Sequence, residues 1–495
     1  MNKKSRTFSF YYEKFKALLL VFLIILCIVQ IGILWSSQSG SLPFLSSLFL
    51  DSKNSSQASL DKMKEDYLHP FKVVLSKGYD DHHLIVPNGS DEYDTLWNGA
   101  KGYLAEALKN KPTQIQPISA EKWGLIVAKN PYYFEFKTEI PIDIVNWVLD
   151  LKKTSDTVGG FNRIVIFPDD PENSYYDTLY LRDKNNIYTY TITDYDGGAL
   201  ESKDFNSLYN RLDPEKNPNS RNYKIAIETG SRTSLPKDMI APLSASSEEK
   251  YSNLNITPFV GVHGHTSSLA DYEAIQLELF GEVRNDYYPD EDAYGSVVFK
   301  KSDSIYRIYK NSVIEYKYIG NQGITEKSRL LEAYQKAVGF LMEIKAQSKY
   351  MSGVNLYLSS VSERDNSYIF KFDYSIPQGD GMGDVPVLVE NFIIPNSETP
   401  LNNAITVEAS SKKVLLCRWI ALNPKTNKDY VEYTWNFPEY VDKAYNSITE
   451  LKNSSLPIKD YGIYYVITDK KLNDNTLTPS FVLFNESGNF DIRLN

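Results

Sequence analysis

The chain has 495 residues, long enough for two or three packed domains, and its 42% hydrophobic content is ample to fill their cores. Net charge is −10; the first sixteen residues carry five bases and one acid, so the remainder carries −14, which weighs against nucleic acid or an anionic surface as a partner. Of the two cysteines only Cys417 lies beyond the apolar N-terminal stretch, which excludes an intramolecular disulfide there.

Residues 1–16 form a basic tail, with Lys3, Lys4, Arg6, Lys14 and Lys16 against Glu13. Ala17 to Trp35 follows, almost wholly apolar, and Ala17 to Leu50 contains no Asp, Glu, Lys or Arg. At ~1.5 Å per residue Ala17–Trp35 makes a rod of about 28 Å, close to the hydrocarbon thickness of a bilayer. The basic flank belongs on the cytoplasmic side, so residues 17–37 read as a single-pass anchor with the bulk of the chain extracytoplasmic. Tyr11, Tyr12, Phe15 and Trp35 suit the two headgroup regions. The rival reading is a cleaved signal ending at Ser37-Gln38-Ser39; the long apolar run and its aromatic flanks favour a retained anchor. Leu26 before Cys27 does not fit a lipidation site.

Residues 38–68 read as a stalk, followed by an N-terminal extracytoplasmic domain over 69–250, a central domain over 251–322 and a C-terminal domain over 323–495. Phe71–Leu75 is expected as a strand. Ser90 caps a helix whose buried face is Tyr93, Leu96, Trp97, Ala100, Tyr103, Leu104, Ala107 and Leu108, at three-and-four spacing. Strands are expected at Trp123–Ala128, Tyr132–Thr138 and Arg163–Phe167, with a helix from Ile142 to Leu151 after Pro141. Asp177–Arg182 and Ile187–Thr193 flank a hairpin turn. Pro214 to Asn253 is polar and marks a boundary. Ala270–Phe280 reads as helix, and Ser296–Phe299, Ser304–Tyr309 and Val313–Tyr318 as a meander. Thr325 is expected to cap a helix with Leu330, Leu331, Tyr334, Val338, Leu341 and Met342 on its buried stripe. Strands then alternate at Asn355–Ser359, Tyr368–Tyr374, Val385–Phe392, Ile405–Ala409 and Val414–Trp419. A helix over Pro438–Leu451 precedes short strands at Ile463–Thr468, Ser480–Phe484 and Phe490–Leu494. The fold class is α+β: one N-terminal transmembrane helix, then antiparallel meanders packed on single helices.

PFKVVLSKG at Pro70–Gly78 leads into the Trp97 helix, YYFEFKTEIP at Tyr132–Pro141 enters a second, and FNRIVIF spans Phe161–Phe167. Late in the chain the Leu330 helix leads into a meander containing DVPV at Asp384–Val387. With the basic tail and lone anchor, this order resembles the YycH family, membrane-anchored regulators of the cell-wall two-component system WalK/WalR (also called YycG/YycF) of Gram-positive bacteria. The resemblance implies a last domain related in topology to YycI. It also implies binding to a sensor histidine kinase and to a YycI-like partner, with no catalytic residues and no cofactor.

Searching the residues for chemistry yields little. His263 and His265 have the spacing that lets two imidazoles reach one metal, but lack a third ligand; His82 and His83 are distant in sequence. Asp286, Asp290, Glu291 and Asp292, like Asp169, Asp170 and Glu172, depart from a calcium-loop layout and read as acid-rich turns. Ser119-Ala120-Glu121-Lys122 matches S-x-x-K, the nucleophile motif of penicillin-binding enzymes, without its S-D-N or K-T-G companions. We therefore expect no enzyme, no metal and no cofactor. The residues singled out for partner binding are Gln30, whose amide seeks hydrogen bonds in hydrocarbon from a neighbouring helix, and Gly32, which permits close backbone approach. An extracytoplasmic ligand sensor with a Tyr-lined groove is the alternative, and a wall-acting hydrolase a weaker one.

Overall fold

The computed structural model describes residues 64, 67–152, 154–168, 177–193, 200, 202–213, 223–229, 235–242, 248–257, 259, 269–320, 326–348, 350–351, 353–378, 383–394, 397, 399–434, 437–449, 458–468, 476–485 and 489–492, all within the unit Met63–Asn495. The expected anchor at 17–37, with Gln30 and Gly32, lies outside the described residues, as do His263, His265, Asp169, Asp170 and Glu172. Among the described residues no helix is long and apolar enough to cross a membrane.

An antiparallel sheet collects the strands from 72 to 242. In chain order these are β1 (Lys72–Ser76), β2 (His83–Val86), β3 (Gln114–Pro117), β4 (Tyr132–Pro141), β5 (Gly160–Phe167), β6 (Asp177–Arg182), β7 (Asn186–Ile192), β8 (Tyr223–Ile225) and β9 (Ile240–Pro242). Their spatial order is β3-β7-β6-β5-β4-β1-β2-β8-β9. Three helices, α1 (Asp91–Lys109), α2 (Ala120–Lys129) and α3 (Ile142–Val148), fall between these strands, and α4 (Ser202–Leu212) follows β7. The face of α1 expected from its spacing is buried, and the Ser90 Oγ accepts from the Tyr93 amide at 3.1 Å. Trp97 of α1 sets its ring against Phe134 and Phe136 of β4, at 6.1 and 5.6 Å between centroids.

A small sheet pairs β10 (Glu248–Thr257) with β20 (Asn423–Thr434) and β22 (Thr476–Leu477). The largest sheet comprises β11 (Tyr288–Glu291), β12 (Val297–Lys300), β13 (Ser304–Ile308), β14 (Val313–Tyr318), β15 (Asn355–Arg364), β16 (Ser367–Pro377), β17 (Asp384–Val389), β18 (Ile405–Ala409), β19 (Val414–Ile420), β21 (Asp460–Ile467), β23 (Pro479–Phe484) and β24 (Asn489–Ile492). Its one parallel pair among the described strands, β17 with β21, joins the meander of 288–420 to the terminal hairpins. Helices α5 (Leu269–Phe280), α6 (Leu330–Gln347) and α7 (Phe437–Ser447) complete the described α-helices, and a single 3-10 turn, Ala226–Thr229, follows β8. The α6 stripe packs on β16, β18 and β19 and also meets α3, so one apolar core runs through residues of both large sheets. Mixed α+β architecture with antiparallel meanders on single helices is therefore what the chain adopts.

Several local expectations are corrected. Trp123–Ala128 is not a strand but the centre of α2. The apolar run is too short for its period to decide, whereas Ser119 accepting from the Lys122 amide at 3.4 Å supplies a helix cap. Gly124 permits the packing: a Cβ there would stand 2.8 Å from the Lys237 carbonyl oxygen. The second helix ends at Val148 rather than Leu151, because Asp150 takes a left-handed conformation (φ 54°). Thr325, the expected cap, lies outside the described residues, and α6 starts only at Leu330, with Arg329 at its N-cap position. Its start is fixed from outside, by the Arg329 amide donating to Ser411 Oγ (2.7 Å) and the Ser411 amide donating to Ser328 Oγ (3.2 Å). Within the polar stretch Pro214–Asn253, β8 and β9 form a hairpin that extends the first sheet beyond β2.

Candidate functional site

Alternate residues of a strand share one face, and the register of β1, β4, β5 and β6 aligns two rows across them. One row, Val74–Tyr133–Val165–Tyr180, is covered by Trp123, Val127 and Ala128 of α2. The next row on that face is charged: Lys72 pairs with Glu135, Glu135 with Arg163, and Arg163 with Arg182. Here α2 no longer covers the sheet, and a cleft of about 350 Å³ opens instead. Its other walls are Pro236–Ile240 and the start of β21, at Lys459 and Asp460.

Two arginines side by side need anions between them, and Asp238 provides one. Its Oδ2 accepts from Arg163 Nη1 and from Arg182 Nη1, the latter at 2.6 Å. Arg163 Nη2 donates to Glu135 Oε1 at 3.0 Å, while the Tyr133 hydroxyl donates to Glu135 Oε2 at 3.0 Å. Lys72 lies between Glu135 and Asp460, its Nζ 3.8 Å from a carboxylate oxygen of each. Lys137 Nζ is 3.7 Å from Asp460 and donates to the Tyr464 hydroxyl at 2.9 Å. It also sits 3.8 Å from the ring centre of Phe71, a cation–π contact. The first sheet thus meets β21 of the large sheet through charge as well as through Phe71, which packs against the apolar cluster of Tyr464, Val466 and Val482.

Burial alone would raise the Glu135 carboxyl, but Arg163, Lys72 and the Tyr133 hydroxyl outweigh it and hold it down at about 2. The same neighbours work in reverse on the cations: burial would lower Lys72, yet Asp460 and Glu135 leave it raised. Burial and Glu135 push the Tyr133 phenol well up, so it remains a donor at ordinary pH, Arg163 opposing only in part. Because the folded state lowers the Glu135 value, its contribution to stability is fully present above about pH 5 and is lost as pH falls toward 2. Since the cleft admits solvent, we expect on the order of 2 kcal/mol from this group. Denaturation midpoints taken from pH 7 to pH 3 should fall more steeply for the native chain than for Glu135→Gln; parallel curves would contradict the assignment.

No serine, threonine, cysteine or histidine is among the residues that line the cleft. What it offers is charge and directed hydrogen-bond donors, the chemistry of binding and orienting a polar partner.

The residues singled out from sequence fall elsewhere. Ser119 and Lys122 open α2, and the S-x-x-K match is a helix start. Asp286, Asp290 and Asp292 pair with Lys301 (2.8 Å), Lys300 and Arg307 (3.1 Å) respectively. His82 is exposed, whereas His83 is buried with Nε2 2.8 Å from Glu228 Oε2. Burial would raise Glu228, but the His83 ring and the Ile225 and Asp80 amides bring it below its ordinary value. Among the described residues no group of three His, Cys, Asp or Glu could hold a metal ion. Asp384 of the DVPV segment accepts from Asn355 Nδ2 (2.8 Å) and Ser375 Oγ (2.9 Å) at the head of β17. Sequence reading passed over the cleft itself. The available signal was a charged residue at alternate positions of otherwise apolar strands, Glu135 and Lys137 within YYFEFK and Arg163 within FNRIVIF.

Residues 13–209 match the family described as YycH protein, N-terminal domain. The fold is similar to the crystal structure of YycH from Bacillus subtilis, with 13% identity and a TM-score of 0.51, covering 87% of this chain and 97% of that one. An uncharacterized protein from Eubacterium rectale aligns over 50% of this chain and 84% of its own, with 10% identity and a TM-score of 0.26. No curated protein matches the chain.

Proposed function

Residues 13–209 match the YycH N-terminal domain family, and on that basis we propose that the chain is a YycH-type, membrane-anchored, extracytoplasmic regulator of cell-wall two-component signalling. In this reading it binds a WalK-like sensor histidine kinase and a YycI-like protein, through its anchor and its outer domains. The observation that carries the proposal is the family match itself: it begins at residue 13 and so runs across the apolar stretch Ala17–Trp35 into the first sheet. The fold likeness, extending over most of the chain, supports it. The outer part divides into an N-terminal domain over 69–250, a central domain over 251–322 and a C-terminal, YycI-like domain over 323–495.

A regulator acts on a kinase by binding one of its signalling states more tightly than the other. Within the anchor, the Gln30 amide is the group with most to gain from a neighbouring helix, about 0.6–2 kcal/mol, and Gly32 lets that helix approach. Crosslinking in membranes followed by purification of the full chain should recover the kinase and the YycI-like protein. Gln30→Leu should lower that yield while leaving the outer domains folded. Recovery of neither partner would overturn the proposal; an unchanged yield from Gln30→Leu would remove the role of that amide.

A further inference from the structure

Asn-Gly occurs twice in the chain, at Asn88-Gly89 and at Asn98-Gly99, and the fold treats the two differently. An asparagine followed by glycine is open to attack by its own backbone: the next amide nitrogen can reach Cγ, and glycine, lacking Cβ, does not obstruct it. Asn98 and Gly99 lie inside α1, where the Gly99 amide belongs to the helical ladder. Gly99 is also buried, a Cβ there standing 2.6 Å from Leu200 Cγ, which leaves the backbone no room to rearrange. Asn88 and Gly89 instead form the turn between β2 and α1, closed by the Ser90 amide donating to the Pro87 carbonyl at 3.3 Å. Gly89 is exposed with φ 77°, and its amide donates to no described residue. Asn98 is the more exposed of the two asparagines, so backbone geometry rather than exposure separates them.

We propose that, independently of any partner, Asn88 is a site of spontaneous deamidation while α1 holds Asn98 inert. The Gly89 nitrogen forms a bond to Asn88 Cγ and gives up its proton; the Cγ–Nδ2 bond breaks, and Nδ2 takes up a proton and departs as ammonia. Water then opens the cyclic imide at either carbonyl, leaving aspartate or isoaspartate, with nothing oxidised or reduced. The turn sits against the large sheet. A Cβ on Gly89 would stand 3.5 Å from Asp384 Oδ1, at the head of β17, and Asn88 Nδ2 donates to the Phe71 carbonyl at 3.2 Å. Either product removes that donor and sets a new carboxylate near Asp384. Isoaspartate also lengthens the backbone by one carbon just ahead of the Ser90 cap. Ageing of the chain thereby weakens the contact between the first sheet and β17.

The test uses the full chain in detergent micelles at pH 8, either native or unfolded in guanidinium chloride. Trypsin, cutting after Lys77 and Lys101, releases both asparagines on one peptide, and fragment masses assign the gain of about 1 Da to each. In the native chain Asn88 should convert at least about tenfold faster than Asn98, and in the unfolded chain the two rates should lie within about threefold. A smaller native ratio, or the same ratio in the unfolded chain, would overturn the proposal. So would an Asn88 that stays intact in the native chain while the unfolded chain reacts. Asn88→Asp, which stands in for one product, should lower the denaturation midpoint by less in an Asp384→Asn background; equal losses would overturn the coupling to β17.

Discussion

Tyr334→Ala is expected to destabilise the folded chain by about 3–5 kcal/mol, the range for removing a fully buried aromatic side chain. Tyr334 is 0% exposed, with its ring edge-on to Phe370 of β16 (5.4 Å) and to Trp147 of α3 (6.1 Å). Its hydroxyl donates to the Tyr67 carbonyl at 3.3 Å. The residue therefore stands where a helix of the large sheet meets a helix and the leading segment of the first. Tyr334→Phe keeps the ring and loses only the hydrogen bond, about 1 kcal/mol. Urea denaturation of both variants measures the difference; an alanine variant within about 1 kcal/mol of the native chain would show that the two sheets do not share one core.

Arg163→Met should cost about 2–3 kcal/mol, for an electrostatic reason. The guanidinium holds Asp238 and Glu135 at once, and losing it strands two largely buried carboxylates. Breaking a fully buried pair costs about 3–5 kcal/mol; access of solvent to the cleft and the remaining cations Arg182 and Lys72 reduce that. Arg163→Lys should recover little, because one ammonium cannot bridge two carboxylates as a planar fork does. Denaturation midpoints at pH 7 decide it. If lysine restores full stability, the bidentate geometry carries no weight.

How much of this was legible in the sequence depended on whether the deciding contacts are local. The helix α1 was readable almost residue by residue, because its cap Ser90 and its apolar spacing lie within nineteen residues. Strands β13 and β14 were readable as a meander for the same reason. The helix α2 was misread, since six apolar-rich residues fit either period and its burial against the Lys237 carbonyl is set by a segment far along the chain. The long strand β20 went unseen, because its partner β10 pairs with it as an edge ribbon rich in half-exposed and exposed residues, where no alternating apolar pattern is required. The charged row was out of reach for a related reason. Lys72, Glu135, Arg163 and Arg182 become neighbours only once four strands are in register, and Asp238 and Asp460 arrive from two further segments.

Regulation of a membrane kinase by this chain, as proposed, can be read out by reconstitution. A WalK-like sensor kinase is placed in lipid vesicles alone, with the full chain, and with a chain lacking residues 1–37, and its autophosphorylation rate is measured. The full chain is expected to shift the rate by about fivefold in one direction, equivalent to about 1 kcal/mol of coupling, and the shift to be lost without residues 1–37. A rate identical in all three preparations, with the chain present in the vesicles, would contradict it.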